Sequence, residues 1–281
     1  MANLMAQPDV PAAGQRVRVV SPATRRSGLR GTVRSEFTKL RSVRSTWIAL
    51  TVFLVAGMGS AILVAAANRR NAGQASFDPT AISQGGIAYL GELIIVVTGA
   101  LAITSEYGTR MMGTSLAAMP RRGVLYAAKA IAVTCVTLAV ALVASFASFF
   151  AGQAVLASTH AGASITSPGA LRAVLLTAAF VTCFALLAFG LGAVIRYTAG
   201  AISGLFALIF VIPLLAGFLP DSARNDVVRW LPDNATLYQI VAAKPTGQSG
   251  VFGPYGELAV FVGYAVIAVA AGALAFLRRD A

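Results

Sequence analysis

Histidine occurs once in this sequence, at position 160, and cysteine twice, at 135 and 183. His160 falls in a polar connector; Cys135 and Cys183 fall inside apolar runs, with no Cys-x-x-Cys pair and no acidic partner at ligand spacing. A metal centre needs several such ligands converging, so the sequence offers none, and both cysteines read as small buried hydrophobes. One histidine in a loop cannot build a Ser-His-Asp triad, and there is no His-Glu-x-x-His helix. No Gly-Lys dipeptide occurs anywhere, so the Walker A phosphate loop is missing and no cofactor site is expected in the chain itself. Charge is scarce as well. Only 11% of residues are Asp, Glu, Lys or Arg, against about 25% in a soluble domain.

What is present instead is apolar sequence, 57% of the chain. It is gathered into six runs, near residues 46–67, 86–104, 130–156, 171–195, 198–219 and 257–277. A helix rises about 1.5 Å per residue, so a run of about 20 residues crosses a hydrocarbon core of roughly 30 Å. The expected fold is all-α: a polytopic integral membrane protein with six transmembrane helices, occupying residues 46–281. Residues 1–27, rich in Pro, Ala, Gly, Ser and Arg and without apolar period, read as a disordered cytoplasmic tail.

Residues 28–45 have a different pattern. Leu29, Val33, Phe37, Leu40, Val43 and Trp47 recur every three or four positions, while Arg30, Arg34, Lys39, Arg41 and Arg44 fall largely on the remaining surface. This is a basic amphipathic helix suited to the membrane interface, with Phe37, Lys39, Leu40, Arg41 and Trp47 as its interfacial set. The other reading is a solvated helix packed on a partner protein. The direct lead into a span favours the interface.

The net charge of +12 comes from basic residues clustered at span ends. That placement suits anionic lipid headgroups, so membrane lipids are expected partners and nucleic acid is not. Arg supplies 19 of the 22 basic residues, a bias that resembles a high-GC bacterial genome. Sixteen basic residues fall in the N-terminal lead, the 105–129 stretch, the turn between spans four and five and the C-terminus; six fall in the opposite loops. The asymmetry predicts both termini on the cytoplasmic side of a bacterial cell membrane, in agreement with an even number of spans.

Within the spans, Glu92 is the only deep acid, expected some two turns from the outer end of span two. Buried there, it suits proton or cation handling, or accepts hydrogen bonds from a neighbouring helix. Gly200 and Gly204 form a Gly-x-x-x-Gly that would let two helices approach closely, and Pro213 is expected to bend span five. The richest segment joins spans two and three. A turn needs a few residues; Ser105–Lys129 uses about twenty-five. Its middle, Met111 to Met119, is apolar and too short to span, and suits a short helix across the inner face. Glu106 and Arg110 lie four apart and can pair on one helical face.

The lead Ser35-Glu36-Phe37-Thr38-Lys39-Leu40-Arg41-Ser42 before Trp47, and the block Glu106-Tyr107-Gly108-Thr109 followed by Pro120-Arg121 and Lys129, resemble the permeases of type-2 ABC exporters. The resemblance spans essentially the whole chain. It implies a membrane-spanning subunit without its own ATPase site, served by a separate ABC ATP-binding subunit that holds the ATP, and paired with a second permease subunit, identical or not. It makes the N-terminal helix a connecting helix, and Glu106, Tyr107, Gly108, Thr109, Arg110, Pro120 and Arg121 an ATPase-coupling segment. The connector 220–256 would fold over the outer mouth, with Val227, Val228, Trp230 and Leu231 at the interface. Two other readings are an ion-coupled carrier using Glu92 and a membrane-embedded lipid-modifying enzyme. Substrate identity is not written in the sequence.

Overall fold

A computed structural model of the chain describes residues 28–278 except 75, 110, 119–120, 221–222, 224–225, 228–229, 232–233 and 246–251. The expected tail over 1–27, and Arg110, Pro120 and Val228, lie outside the described residues. Among the described residues the fold is all helical, and six helices are long and apolar enough to cross a membrane.

The first helix, α1 (Leu29–Ser42), stops at Val43, which is extended; α2 (Arg44–Ala67) then begins the first span. The sequence period runs unbroken through Trp47, but the helix does not. Trp47 reaches back instead, its indole N–H donating to the Arg41 carbonyl at 2.8 Å. One of the carbonyls orphaned at the end of α1 is thereby satisfied, and the corner is pinned.

The second span, α3 (Pro79–Gly108), opens on an N-cap. Asp78 accepts from the N–H groups of Thr80 and Ala81 at 2.9 and 3.1 Å, and Pro79 occupies the first helical position. The other Asp78 oxygen accepts from the Lys244 N–H at 3.0 Å, which ties the start of α3 to the late connector. α3 exceeds its apolar window at both ends, where Thr80, Ser83 and Gln84 at the start and Glu106 at the finish are buried in protein. Gln84 donates to the Ser145 carbonyl at 2.9 Å and accepts from the Ser145 hydroxyl at 2.6 Å. The short α4 (Met111–Ala118) and the long α5 (Arg122–Leu156) follow.

The centre of the bundle is α6 (Ala170–Ile195), the most completely buried span, packed against α3, α5 and the last span, α10 (Pro254–Arg278). Lipid tails are as apolar as leucine, so burial in lipid gives no hydrophobic drive between helices, and close packing has to hold them. Two glycines allow it. A side chain on Gly99 of α3 would strike the backbone carbonyl of Ala185, and one on Gly190 of α6 would strike the carbonyl of Ala268. Edge-on contacts of Phe180 with Phe184 and Phe261, at centroid distances of 4.9 and 4.8 Å, fill the space nearby.

Gly200 and Gly204 do not serve this purpose within the chain. Among the described residues, Gly204 has open space where a side chain would be, and Gly200 meets only Ile195, at the end of α6, and Tyr197 of the adjoining turn. They lie on α7 (Thr198–Phe206), which passes through a π-turn, Ala207–Val211, into α8 (Ile212–Ala216). Pro213 lacks an N–H, and its ring crowds the carbonyl of Ile209; the widened turn before it absorbs that conflict. A last short helix, α9 (Asn234–Val241), packs on α3, α6 and α10.

Candidate functional site: a buried charge cluster where four helices meet

The face of α1 turned toward α5 is polar. Thr32 and Glu36, one turn apart, are its buried residues, while Leu29, Val43 and the following Trp47 look outward. A polar face turned inward needs partners, and α3, α4 and α5 supply them.

Lys129 of α5 is buried, with 2% of its side chain exposed, and its ammonium donates to Glu36 Oε2 at 2.8 Å and to Glu106 Oε1. Lys39 of α1 donates to Glu36 Oε1 at 2.8 Å and to Glu106 Oε1 at 3.3 Å. Ser115 of α4 donates to Glu106 Oε2 at 3.2 Å and accepts from Lys39 at 3.2 Å. Every carboxylate oxygen has a donor, and among the described residues two acids balance two bases. A buried pair of this kind contributes little net stability over an apolar packing, because desolvation offsets attraction; what it fixes is register. Here it fixes four helices to one another.

Burial acts to lower the pKa of Lys39. The hydrogen bond and charge of Glu36 and the charge of Glu106 outweigh it, and the ammonium titrates above its ordinary value. A folded pKa above the unfolded one means that this contribution is complete below pH 10.5 and fades only as pH rises through the folded value. Lys39 therefore keeps its charge through the neutral range.

The end of α3 is also tied to the turn between α6 and α7. The Arg196 guanidinium lies 5.1 Å from the centroid of the Tyr107 ring, and the Thr198 hydroxyl donates to Thr104 Oγ1 at 2.7 Å. Gly108 ends α3 and is exposed. Thr109 follows, its hydroxyl donating to the Ser105 carbonyl at 2.8 Å. Arg121 is exposed and caps the start of α5 through its backbone carbonyl, which accepts from Val124 and Leu125.

The segment singled out from sequence thus converges, but through different partners. Glu106 turns inward to Lys39 and Lys129, whereas the Arg110 proposed to pair with it lies outside the described residues. Glu36 and Lys129 stood in the motifs without an assigned contact. The available signal was Glu36 itself, the lone acid on an otherwise basic helix. Of the interfacial set, Phe37, Lys39 and Leu40 are half-buried, whereas Arg41 and Trp47 are exposed.

Glu92 sits elsewhere. Because α3 begins at Pro79, Glu92 lies near the middle of the helix, deeper than the two turns expected from the apolar window. It is buried and makes no hydrogen bond or ion pair among the described residues. Among the described residues no second charge accompanies it to form a relay.

A family model described as ABC-2 family transporter protein matches residues 32–216. The chain belongs to this family. The match contains all four members of the charge cluster and the first five spans, ending with the last residue of α8. No curated protein matches the chain. In this ABC-2 transporter protein the cluster occupies the junction of the N-terminal helix with the segment between spans two and three.

Proposed function

We propose that this ABC-2 transporter protein is the permease subunit of an ATP-driven exporter in a bacterial cytoplasmic membrane. A separate ATP-binding subunit hydrolyses the nucleotide, and the chain itself supplies no catalytic residue. The observation that carries the reading is the fastening of α4. Its inward side holds Met112 and Ser115 buried, with Ser115 bonded to Glu106 and Lys39, while Met111, Gly113 and Thr114 are exposed. A short helix with a fixed back and a free front suits docking on a moving partner. A push on it reaches α3 directly, and α3 is a continuous lever of about 45 Å. Through Lys129 and Lys39 the same push reaches α5 and α1. A second permease subunit, identical or not, completes the pathway, and the exposed apolar flank of α7 and α8, with Phe206, Phe210 and Leu214, is the surface offered to it.

This reading requires α4 and both termini on the cytoplasmic side, as the basic-residue asymmetry also indicates. The test is side-specific labelling of Thr114→Cys in a Cys135→Ala background, since Cys183 is buried as expected but Cys135, contrary to expectation, is exposed. Impermeant maleimide is expected to label inside-out vesicles at least tenfold more than intact cells. Equal or stronger labelling of intact cells would sink the proposal.

A further inference from the structure

Below α1, where it meets α2 and α5, lies an apolar cavity of ≈ 420 Å³, within the ~300–1,000 Å³ range of small-ligand sites. Phe37 and Leu40 of α1, Trp47 and Leu50 of α2, and Val136 and Val140 of α5 wall it, and Arg34 and Arg41 are part of its lining. These arginines are seven positions apart, so they share one helical face about 10 Å apart along the axis. Both are exposed, and among the described residues neither side chain has an ion pair or hydrogen bond. The one carboxylate of α1, Glu36, is occupied by Lys39 and Lys129 and is not available to them. The Trp47 indole, fixed by its bond to the Arg41 carbonyl, holds one wall in place.

We infer that this cavity is a binding site for one anionic phospholipid of the leaflet that carries α1. An acyl chain fills the slot between α1, α2 and α5, and the phosphate sits between Arg34 and Arg41. Apolar walls alone would suit any lipid. Two guanidiniums at the slot, without a counter-ion among the described residues, select a negative headgroup, and Val136 and Val140, deeper along α5 than Lys129, give the chain a path into the membrane. The site is independent of ATPase docking, so its failure would leave the proposed permease function standing.

The test uses the full chain, purified in mild detergent and titrated with phosphatidylglycerol or phosphatidylcholine, with bound lipid counted by native mass spectrometry. Phosphatidylglycerol is expected to remain bound to the wild type under conditions that strip phosphatidylcholine. A juxtamembrane basic residue strengthens anionic-lipid binding by about fivefold, so Arg34→Gln with Arg41→Gln should weaken retention by roughly thirtyfold. Arg30→Gln with Arg44→Gln removes the same charge from exposed positions outside the cavity and should leave retention within about threefold of wild type. Ala139→Phe, which fills the slot from an exposed position on α5, should lower retention without changing charge. Equal loss in both arginine pairs would mean diffuse attraction and overturn the site. So would competition by millimolar inorganic phosphate alone, which would indicate an anion site. Unchanged lipid counts in Ala139→Phe together with loss of a co-purifying protein would reassign the cavity to a protein partner and overturn it equally.

Discussion

Replacing Met111–Ala118 with eight alternating Gly and Ser residues is expected to abolish retention of the ATP-binding subunit while the six-span chain still inserts. α4 is built to be held from behind. Met112 is buried in a cluster with Ile103, Leu125, Tyr126 and Phe276, and Ser115 closes the charge cluster. The substitution removes both anchors and the helix itself, since Gly costs about 1 kcal/mol per position relative to Ala. The closest approach of α3 to α6, at Gly99 and Ala185, involves no residue of α4. Co-purification of the ATPase is the readout, with membrane-extracted yield as the control. Loss of yield would mark a folding defect; retained yield with retained ATPase would contradict the role assigned to α4.

Lys129→Met is expected to be the most damaging single substitution at the junction. It leaves the carboxylates of Glu36 and Glu106 facing one another with only Lys39 between them, and Lys39 is itself 39% exposed. Breaking a buried pair costs about 3–5 kcal/mol, a large part of a stability of about 5–15 kcal/mol. α1 has few other anchors, its buried residues being Thr32 and Glu36. The expected result is release of α1, seen as protease cleavage near residues 28–42, together with a lowered melting temperature. Adding Glu36→Gln removes the surplus charge and leaves Glu106 with Lys39. The double variant should therefore be more stable than Lys129→Met alone, although it carries one more substitution. A double variant less stable than the single would show that charge balance is not what the cluster maintains.

The six crossings were legible in the sequence because about 20 apolar residues have few other places to go. The extent of α3 was not. Its ends are polar, and hydropathy cannot tell a Gln84 bonded to Ser145 from one in water; this also set Glu92 too near an edge. The small-residue signal did not point to the close approaches inside the described bundle, for a related reason. Spacing identifies a possible contact face but not whether a helix lies opposite, so Gly200 and Gly204 stood out while Gly99 and Gly190 make the close approaches. At the candidate site the motifs drew attention to Glu36, Lys39, Glu106 and Lys129. Their mutual contacts, one of them across 93 positions, depend on how α1 folds back onto α5, and no local pattern records that.

In the proposed exporter, force from nucleotide hydrolysis reaches the spans through α4. The most direct measurement places a photo-reactive residue at Thr114, with the same group at Phe218 beyond α8 as the comparison. Illumination of membranes is expected to join Thr114 to an ATP-hydrolysing subunit, and to join Phe218 to none. Cross-linking of that subunit from Phe218 but not from Thr114 would contradict the account.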